Sequence, residues 1–303
     1  MLVLPTLRQL QFFLALVRRH SFSKAADDCL VSQSTLSSAI KELETALDCQ
    51  LVDRSTRAFA LTPTGEEVAR RAAPILAMAE DLARAAAAHR PLEGEFHLGV
   101  IPTIAPFLLP RVAERLKAAY PNLKLFLRED LTANLAERLS AGLLDAVVLA
   151  FPYDLPGAEV IDIGEDPFWF AAAPGHPLAA KKSLTVDDLE NVNLLLLEDG
   201  HCLRDHAIEA CKLRRSDAAA YGATSLFTLT QMVRSGLGAT LLPAMAVKSG
   251  LAETAGLKIA PFENPAPSRR IGIAWRRGSG RREEAEAVAA VLKETLSEIE
   301  TAA

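Results

Sequence analysis

Residues 21–47 read SFSKAADDCLVSQSTLSSAIKELETAL, and their spacing predicts two helices separated by a tight break at Val31-Ser32. The first covers SKAADDCL (23–30). The second covers QSTLSSAIKELETAL (33–47), with Ser32 placed to cap it. Two short helices joined by a brief turn form a helix-turn-helix, whose second helix can lie in a DNA major groove. The start of that second helix is polar rather than charged. Ser32, Gln33, Ser34, Thr35, Ser37 and Ser38 offer hydroxyls and an amide to base edges or phosphates, while Leu36, Ile40 and Leu43 point inward at helical spacing. Downstream, Arg54 and Arg57 in DRSTRAF (53–59) sit where an antiparallel wing carries them to phosphates or a minor groove. The competing reading is a small helical packing domain whose Ser and Thr residues are only solvated.

Bulk composition supports a globular chain around this segment. With 303 residues, 50% hydrophobic and 23% charged, there is apolar surface for two or three domains, and wholesale disorder is excluded. The formal charge of −5 gives no global sign of a nucleic-acid binder, so DNA contact rests on the local segment alone. No run approaches the roughly 18 apolar residues that span a bilayer. The start MLVLPTLRQLQFF lacks the basic region and small-residue cleavage site of a secretory signal. A cytoplasmic chain with no membrane partner is expected. Four cysteines are too sparse for a disulfide scaffold, and a reducing compartment keeps them as thiols unless one is chemically special.

Residues 1–62 read as short helices followed by an extended tail, LVDRSTRAFALTP. Thr64 to about Arg90 reads as one long Ala-rich helix, which Pro74 should bend unless the helix begins there. Beyond a boundary near 90, strands and helices alternate: FHLGVI, a helix over LLPRVAERLKAAY, LKLFLRE, a helix over ANLAERLSAG, DAVVLAF. After a Pro/Gly-rich middle come FWFAAAP, NLLLLE, helices near 201–213 and over LFTLTQMVRSG, ATLLP, RIGIAWR and the helix EEAEAVAAVLKETLSEI. The alternation predicts an α/β fold with a parallel sheet.

Among the thiols, Cys29 and Cys49 read as buried structural cysteines. Cys202 differs, because it follows the strand NLLLLE and the helix-start signal Asp199-Gly200. The free amides and positive dipole end of a helix favour a thiolate there, with His201, Arg204 and His206 close in sequence. On an uninterrupted helix Cys211 falls on the opposite face, about 13.5 Å along the axis. A disulfide needs Cα atoms within about 7 Å, so the two could join only if the helix unwound. Two alternatives stay open on residues alone: metal ligation by His201, Cys202, His206 and Cys211, whose spacing fits no zinc pattern, and four unrelated helix residues.

The head resembles the winged helix-turn-helix of the LysR-type transcriptional regulators. The matching residues are Ser21-Phe22, Ala25-Ala26, Val31-Ser32-Gln33-Ser34, Leu36-Ser37, Ile40, Leu43-Glu44, Leu47, Leu51, Arg54, Leu61-Thr62 and Gly65; Ser34 departs from the family's usual proline. The resemblance implies a winged helix-turn-helix over 1–63 and a linker and dimerisation helix over 64–90. It further implies a two-lobed, periplasmic-binding-protein-like regulatory domain over 91–303, with lobe I about 91–164 and 269–303 and lobe II about 165–268. It also implies a homo-oligomer, dimer or tetramer, that binds double-stranded promoter DNA, works with RNA polymerase as activator or repressor, and is not an enzyme.

Within that family, Leu196-Leu197-Glu198-Asp199-Gly200-His201-Cys202-Leu203-Arg204-Asp205 with Cys211 resembles the redox loop of the peroxide-sensing members. Ile101-Pro102-Thr103, Thr132, Ala223-Thr224-Ser225-Leu226, Leu241-Leu242-Pro243-Ala244 and Arg269-Arg270-Ile271-Gly272 match the same group. This resemblance implies that Cys202 reacts with hydrogen peroxide to a sulfenic acid and that Cys211 resolves it to a disulfide, altering oligomer arrangement and the control of oxidative-stress genes. It implies a peroxide pocket of Thr103, Thr132 and His201, with no metal and no cofactor. Position agrees, since all three lie beyond strand ends, where open α/β sheets bind ligands. Each Thr read alone is a helix N-cap. The competing functions are a LysR-type regulator for a small organic metabolite with incidental cysteines, a transport binding protein, and a thiol peroxidase.

Overall fold

The computed structural model describes residues 3–53, 59–86, 91–213 and 218–301. The chain forms two compact units. The first holds α1 (Leu7–Arg19), α2 (Phe22–Asp28), α3 (Gln33–Leu47), the antiparallel pair β1 (Val52–Asp53) and β2 (Ala60–Leu61), and α4 (Pro63–Ala86). Side-chain oxygens of Thr6, Ser21 and Ser32 take an otherwise orphaned amide at the starts of α1, α2 and α3, which fixes where each helix begins. The turn between α2 and α3 is held by Leu30 in the left-handed region (φ 54) and by the Val31 amide donating to the Ala26 carbonyl. Phe13, Leu16, Ala25, Leu36, Ile40 and Leu43 close the core of this unit. Glu44 accepts from the amides of Leu51 (2.9 Å) and Val52 (3.2 Å), tying the start of the wing to α3. The tip of the wing, with Arg54 and Arg57, lies outside the described residues.

The helix α4 starts at Pro63, where a missing amide costs nothing, and runs through Pro74 to Ala86. It does not begin at Pro74. Thr62 accepts from the Gly65 amide (2.9 Å), and a Cβ at Gly65 would run into the Leu51 carbonyl. Only glycine lets the first turn of α4 pass so close to the wing. Cys29 and Cys49 are half-buried against this core rather than buried, because one caps the end of α2 and the other follows the end of α3.

In the second unit the chain runs β3 (Gly94–Val100), α5 (Ala105–Ala119), β4 (Leu123–Glu129), α6 (Thr132–Ser140), β5 (Ala146–Phe151), β6 (Ala158–Ala172), β7 (Leu194–Leu197) and α7 (Cys202–Ala210). It continues with β8 (Ala218–Ala223), α8 (Leu226–Arg234), β9 (Ala239–Pro243), α9 (Ala244–Lys248), α10 (Leu251–Thr254), β10 (Lys258–Pro261), β11 (Ser268–Arg276) and α11 (Arg282–Thr301). Among the described residues the strands join in the order β4-β3-β5-β11-β6-β9-β7-β8, with β10 also on β6. The sheet is mixed rather than parallel. β4-β3-β5 and β9-β7-β8 are parallel, but β11 and β6 run antiparallel to their neighbours. The reason is that the chain forms two lobes and crosses between them: β6 pairs with β11 through Pro167 and with β9 from Phe168 onward.

Two cores follow. Lobe I packs α5, α6 and α11 on β3, β5 and β11, through residues such as Val100, Leu108, Leu135, Val148 and Leu292. Lobe II packs α7, α8 and α9 on β7 and β9, through Leu195, Leu197, Leu203, Leu229 and Leu241. Among the described residues no helix is long and apolar enough to cross a membrane.

Candidate functional site

The first unit presents the polar helix start. Ser32, Gln33, Ser34, Thr35 and Ser38 are exposed and Ser37 is half-buried, while Leu36, Ile40 and Leu43 are fully inside. The Ser32 hydroxyl accepts from the Thr35 amide (3.1 Å) and lies 2.8 Å from both the Ser34 and Thr35 hydroxyls. Ser32 is therefore committed to capping, and Gln33 and Ser38 are left as freely projecting polar groups at the helix start.

In the second unit, Thr103 follows β3 and is 2% exposed. Its hydroxyl accepts from Arg269 (2.7 Å), and its carbonyl accepts from the same guanidinium (2.9 Å). A guanidinium can only donate, so the hydroxyl spends a lone pair there and keeps its own hydrogen to give away. Arg269 is held in turn by two bonds to Asp166, at 3.0 and 2.9 Å, and Asp166 accepts from the Met245 amide at 3.0 Å. Arg269 and Asp166 are each 1% exposed. Burial pushes the Asp166 carboxyl up from its usual range, with Arg269 and the Met245 amide pulling the other way.

Thr132 opens α6 and is buried, with a hydroxyl that has no partner. It is not the cap that its position suggested, because Asp130 takes the Leu131 amide and the Asn134 side chain. His201 stands at the N-cap of α7, buried, its side chain capping nothing. Burial holds its imidazole below the usual histidine range, with Glu198 opposing. Thr103 and His201 line one cavity of about 600 Å³ together with Asp130, Leu131, Glu198 and Ser225. Thr132 and Cys202 are not in that lining, although each is the chain neighbour of a residue that is.

α7 divides its residues between the two lobes. Cys202, its first residue, is half-buried and packs against the lobe I core. Leu203, Ala207 and Cys211 pack in the lobe II core, where Cys211 is 1% exposed and burial pushes its thiol up to about 12. Both thiols are free, and the helix between them is continuous. The four candidate metal ligands do not converge, since Cys211 faces the other core, and no group of three or more ligand side chains is placed for a metal among the described residues.

Sequence proximity misassigned the cation. Arg204 turns to Asp199 (3.1 Å) and the Leu197 carbonyl (3.3 Å), so its charge is already paired. The buried cation of this region is Arg269, some seventy positions away in sequence and joined to the site by β11 packing against α7. Only its membership in the matching Arg269-Arg270-Ile271-Gly272 stretch marked it in the sequence.

Two family descriptions match the chain: bacterial regulatory helix-turn-helix protein, lysR family, over residues 7–66, and LysR substrate binding domain over residues 89–297. The chain is 40% identical over 296 residues to a probable hydrogen peroxide-inducible genes activator of Mycobacterium avium, covering 97% of this chain and 95% of the relative. It is equally identical, over 296 residues covering 97% and 98%, to the HTH-type transcriptional regulator EstR of Acinetobacter baylyi. Among solved structures, a cysteine-to-aspartate variant of full-length OxyR from Pseudomonas aeruginosa has a TM-score of 0.81 at 33% identity, covering 96% of this chain and 98% of that one.

Proposed function

The chain belongs to the LysR family of bacterial helix-turn-helix transcription regulators, and from that premise we propose that it senses hydrogen peroxide at Cys202 and sets the activity of oxidative-stress promoters accordingly. The observation that carries this reading is the setting of α7. A half-buried thiol opens the helix, burial holds His201 beside it below the usual histidine range, and Thr103, whose hydroxyl accepts from Arg269, keeps its own hydrogen to donate. Thr103, Thr132 and His201 orient the peroxide. The Cys202 sulfur attacks one oxygen, the S–O bond forms as the O–O bond breaks, and hydroxide leaves with a proton as water. The resulting sulfenic acid condenses with the Cys211 thiol to a disulfide and releases a second water. That step requires α7 to unwind, and its repacking alters the arrangement of subunits.

In this reading residues 1–63 form the DNA-reading head, 64–90 the dimerising helix and 91–303 the sensor. Gln33, Ser34, Thr35, Ser37 and Ser38 meet promoter bases or phosphates, Ser32 holds the helix start, and Arg54 and Arg57 reach the backbone. The exposed stripe Ile75, Met78 and Leu82 on α4 supports a homodimer or tetramer, and RNA polymerase is the partner that an activator requires. A second reading, a LysR-type regulator answering a small organic metabolite with incidental cysteines, is favoured by the size of the cavity, about 600 Å³. One experiment separates them: promoter footprinting before and after brief peroxide exposure, with mass spectrometry of the thiols. Oxidation of Cys202 and Cys211 together with an altered footprint is expected. An altered footprint only with an organic ligand, with all thiols untouched, would overturn the peroxide reading.

A further inference from the structure

The lobe I side of α7 carries a second chemical group besides Cys202. His206 is 7% exposed, and its Nε2 lies 3.3 Å from the Pro152 carbonyl, just beyond the end of β5. A carbonyl only accepts, so Nε2 must hold the hydrogen in the neutral ring and Nδ1 must be the lone-pair nitrogen. That Nδ1 is buried and has no partner. A histidine that merely filled space would have both nitrogens satisfied, because a buried acceptor without a donor is costly.

Among the described residues no donor meets Nδ1, and the nearest candidate along the helix is the thiol one turn back. Cys202 and His206 are four residues apart on one continuous helix; Cys202 packs against the lobe I core and His206 reaches the Pro152 carbonyl beyond β5, whereas Leu203, Ala207 and Cys211 pack in lobe II. Side chains at this spacing are neighbours, and helical side chains lean toward the N-terminus, so His206 leans over the turn that bears the thiol. The inference rests on the peroxide-sensing reading. We propose that His206 is the proton acceptor of Cys202, taking the S–H proton as the thiol ionises and returning it to the hydroxide that departs from peroxide. In this step S–H breaks as Nδ1–H forms, a sulfur pair makes the S–O bond, the O–O pair leaves on hydroxide, and the imidazolium proton converts it to water. Sulfur is oxidised by two electrons, peroxide is reduced, and His206 ends as it began.

The surroundings suit a group that holds the proton only briefly. Burial lowers the His206 pKa, the bond to Pro152 opposes it, and the positive charge of Arg269 from β11 lowers it further. Asp205 and Glu209 on its own helix pull weakly the other way, and Asp166 is already engaged by Arg269. The ring is therefore a neutral acceptor near pH 7, and it gains the proton only while a thiolate sits beside it.

The test uses the full chain and two readouts at Cys202, alkylation by iodoacetamide and trapping of sulfenic acid after peroxide. In wild type the alkylation rate should be nearly flat between about pH 6 and 8, because the thiol–imidazole and thiolate–imidazolium forms carry the same number of protons and their ratio does not change with pH. His206→Gln keeps a donor for Pro152 but not the base; its rate should climb about tenfold per pH unit and fall on the order of tenfold below wild type at about pH 7. His206→Asn should behave alike. A wild-type rate that tracks a single ordinary thiol, or variants that match a flat wild-type profile, would overturn the proposal. If alkylation shows the coupled profile but peroxide leaves Cys202 unmodified, the sensing reading fails while the Cys202–His206 pair stands.

Discussion

Arg269 connects the sensor fold to its candidate site, and replacing it with methionine isolates what the guanidinium supplies. Arg269→Met keeps the length of the aliphatic stem and removes four donated bonds, two to Asp166 and two to Thr103. Asp166, 1% exposed, keeps the Met245 amide at 3.0 Å and the Ala244 amide, but no cation. Removing one member of a buried ion pair costs about 3–5 kcal/mol, because the surviving charge stays desolvated. For a domain of this size that is a fall of the melting temperature on the order of 10 °C. The partner change Asp166→Leu alone should cost a comparable amount, and the double variant should recover most of the loss, since buried pairs replaced by apolar groups are often neutral. The assay is urea unfolding of the four proteins followed by circular dichroism, read as a double-mutant cycle. A coupling of about 2 kcal/mol or more is expected. Single variants that each cost under about 1 kcal/mol, or a double variant equal to their sum, would refute the reasoning and leave Thr103 positioned by something else.

The other predictions concern separate parts of the molecule. Gln33→Ala should relax base preference at one or two operator positions, whereas Arg57→Ala should weaken all sequences alike and lower the salt slope by about one in binding titrations. Met78→Glu, on the exposed stripe of α4, should shift sedimentation toward the monomer while leaving the melting of the sensor unchanged. Cys211, raised to about 12 in the fold, contributes stability that is complete below its unfolded value of about 9 and is lost as pH rises toward about 12, so Cys211→Ala should flatten the alkaline limb of a stability–pH curve. His201 and His206, both depressed by burial, act in the opposite sense and should destabilise the fold as pH falls below about 6.5.

The head was legible because its information is local. Ser32 caps α3 and Leu36, Ile40 and Leu43 fill the core, as their spacing requires, and both facts depend on residues within one turn of each other. The sensor was legible only in part, because its geometry is long-range. Alternating strands and helices signal two α/β lobes, but nothing local tells β6 and β11 to run antiparallel as the chain crosses between them. β8 and β10 escaped notice because AAAYGA and KIAP carry little hydrophobic alternation and are specified by their partners β7 and β6. The site shows the same limit: Cys202 is announced by the helix-start signal before it, whereas the buried charge near it comes from Arg269, and the orphaned nitrogen of His206 exists only once Pro152 is in place.

If Cys202 is oxidised by peroxide as proposed, the division of α7 between two cores fixes the order of events at the thiols. Cys211 is 1% exposed and its thiol, raised to about 12, is protonated throughout the neutral range, so it cannot reach or attack an oxidised Cys202 while the helix is intact. Resolution must then wait for local opening of α7, and its rate should scale with the population of the opened segment. Glu209 is exposed on the last turn, where a glycine weakens the helix without touching either core. Glu209→Gly costs an exposed helix roughly 0.7 kcal/mol or somewhat more, which multiplies the opened fraction by about three- to fivefold. Stopped-flow oxidation should show sulfenic acid forming at the wild-type rate and the disulfide forming about three- to fivefold faster. An unchanged second phase would mean that Cys211 reaches Cys202 without unwinding α7, contrary to the roughly 13.5 Å that a nine-residue helical step puts between them.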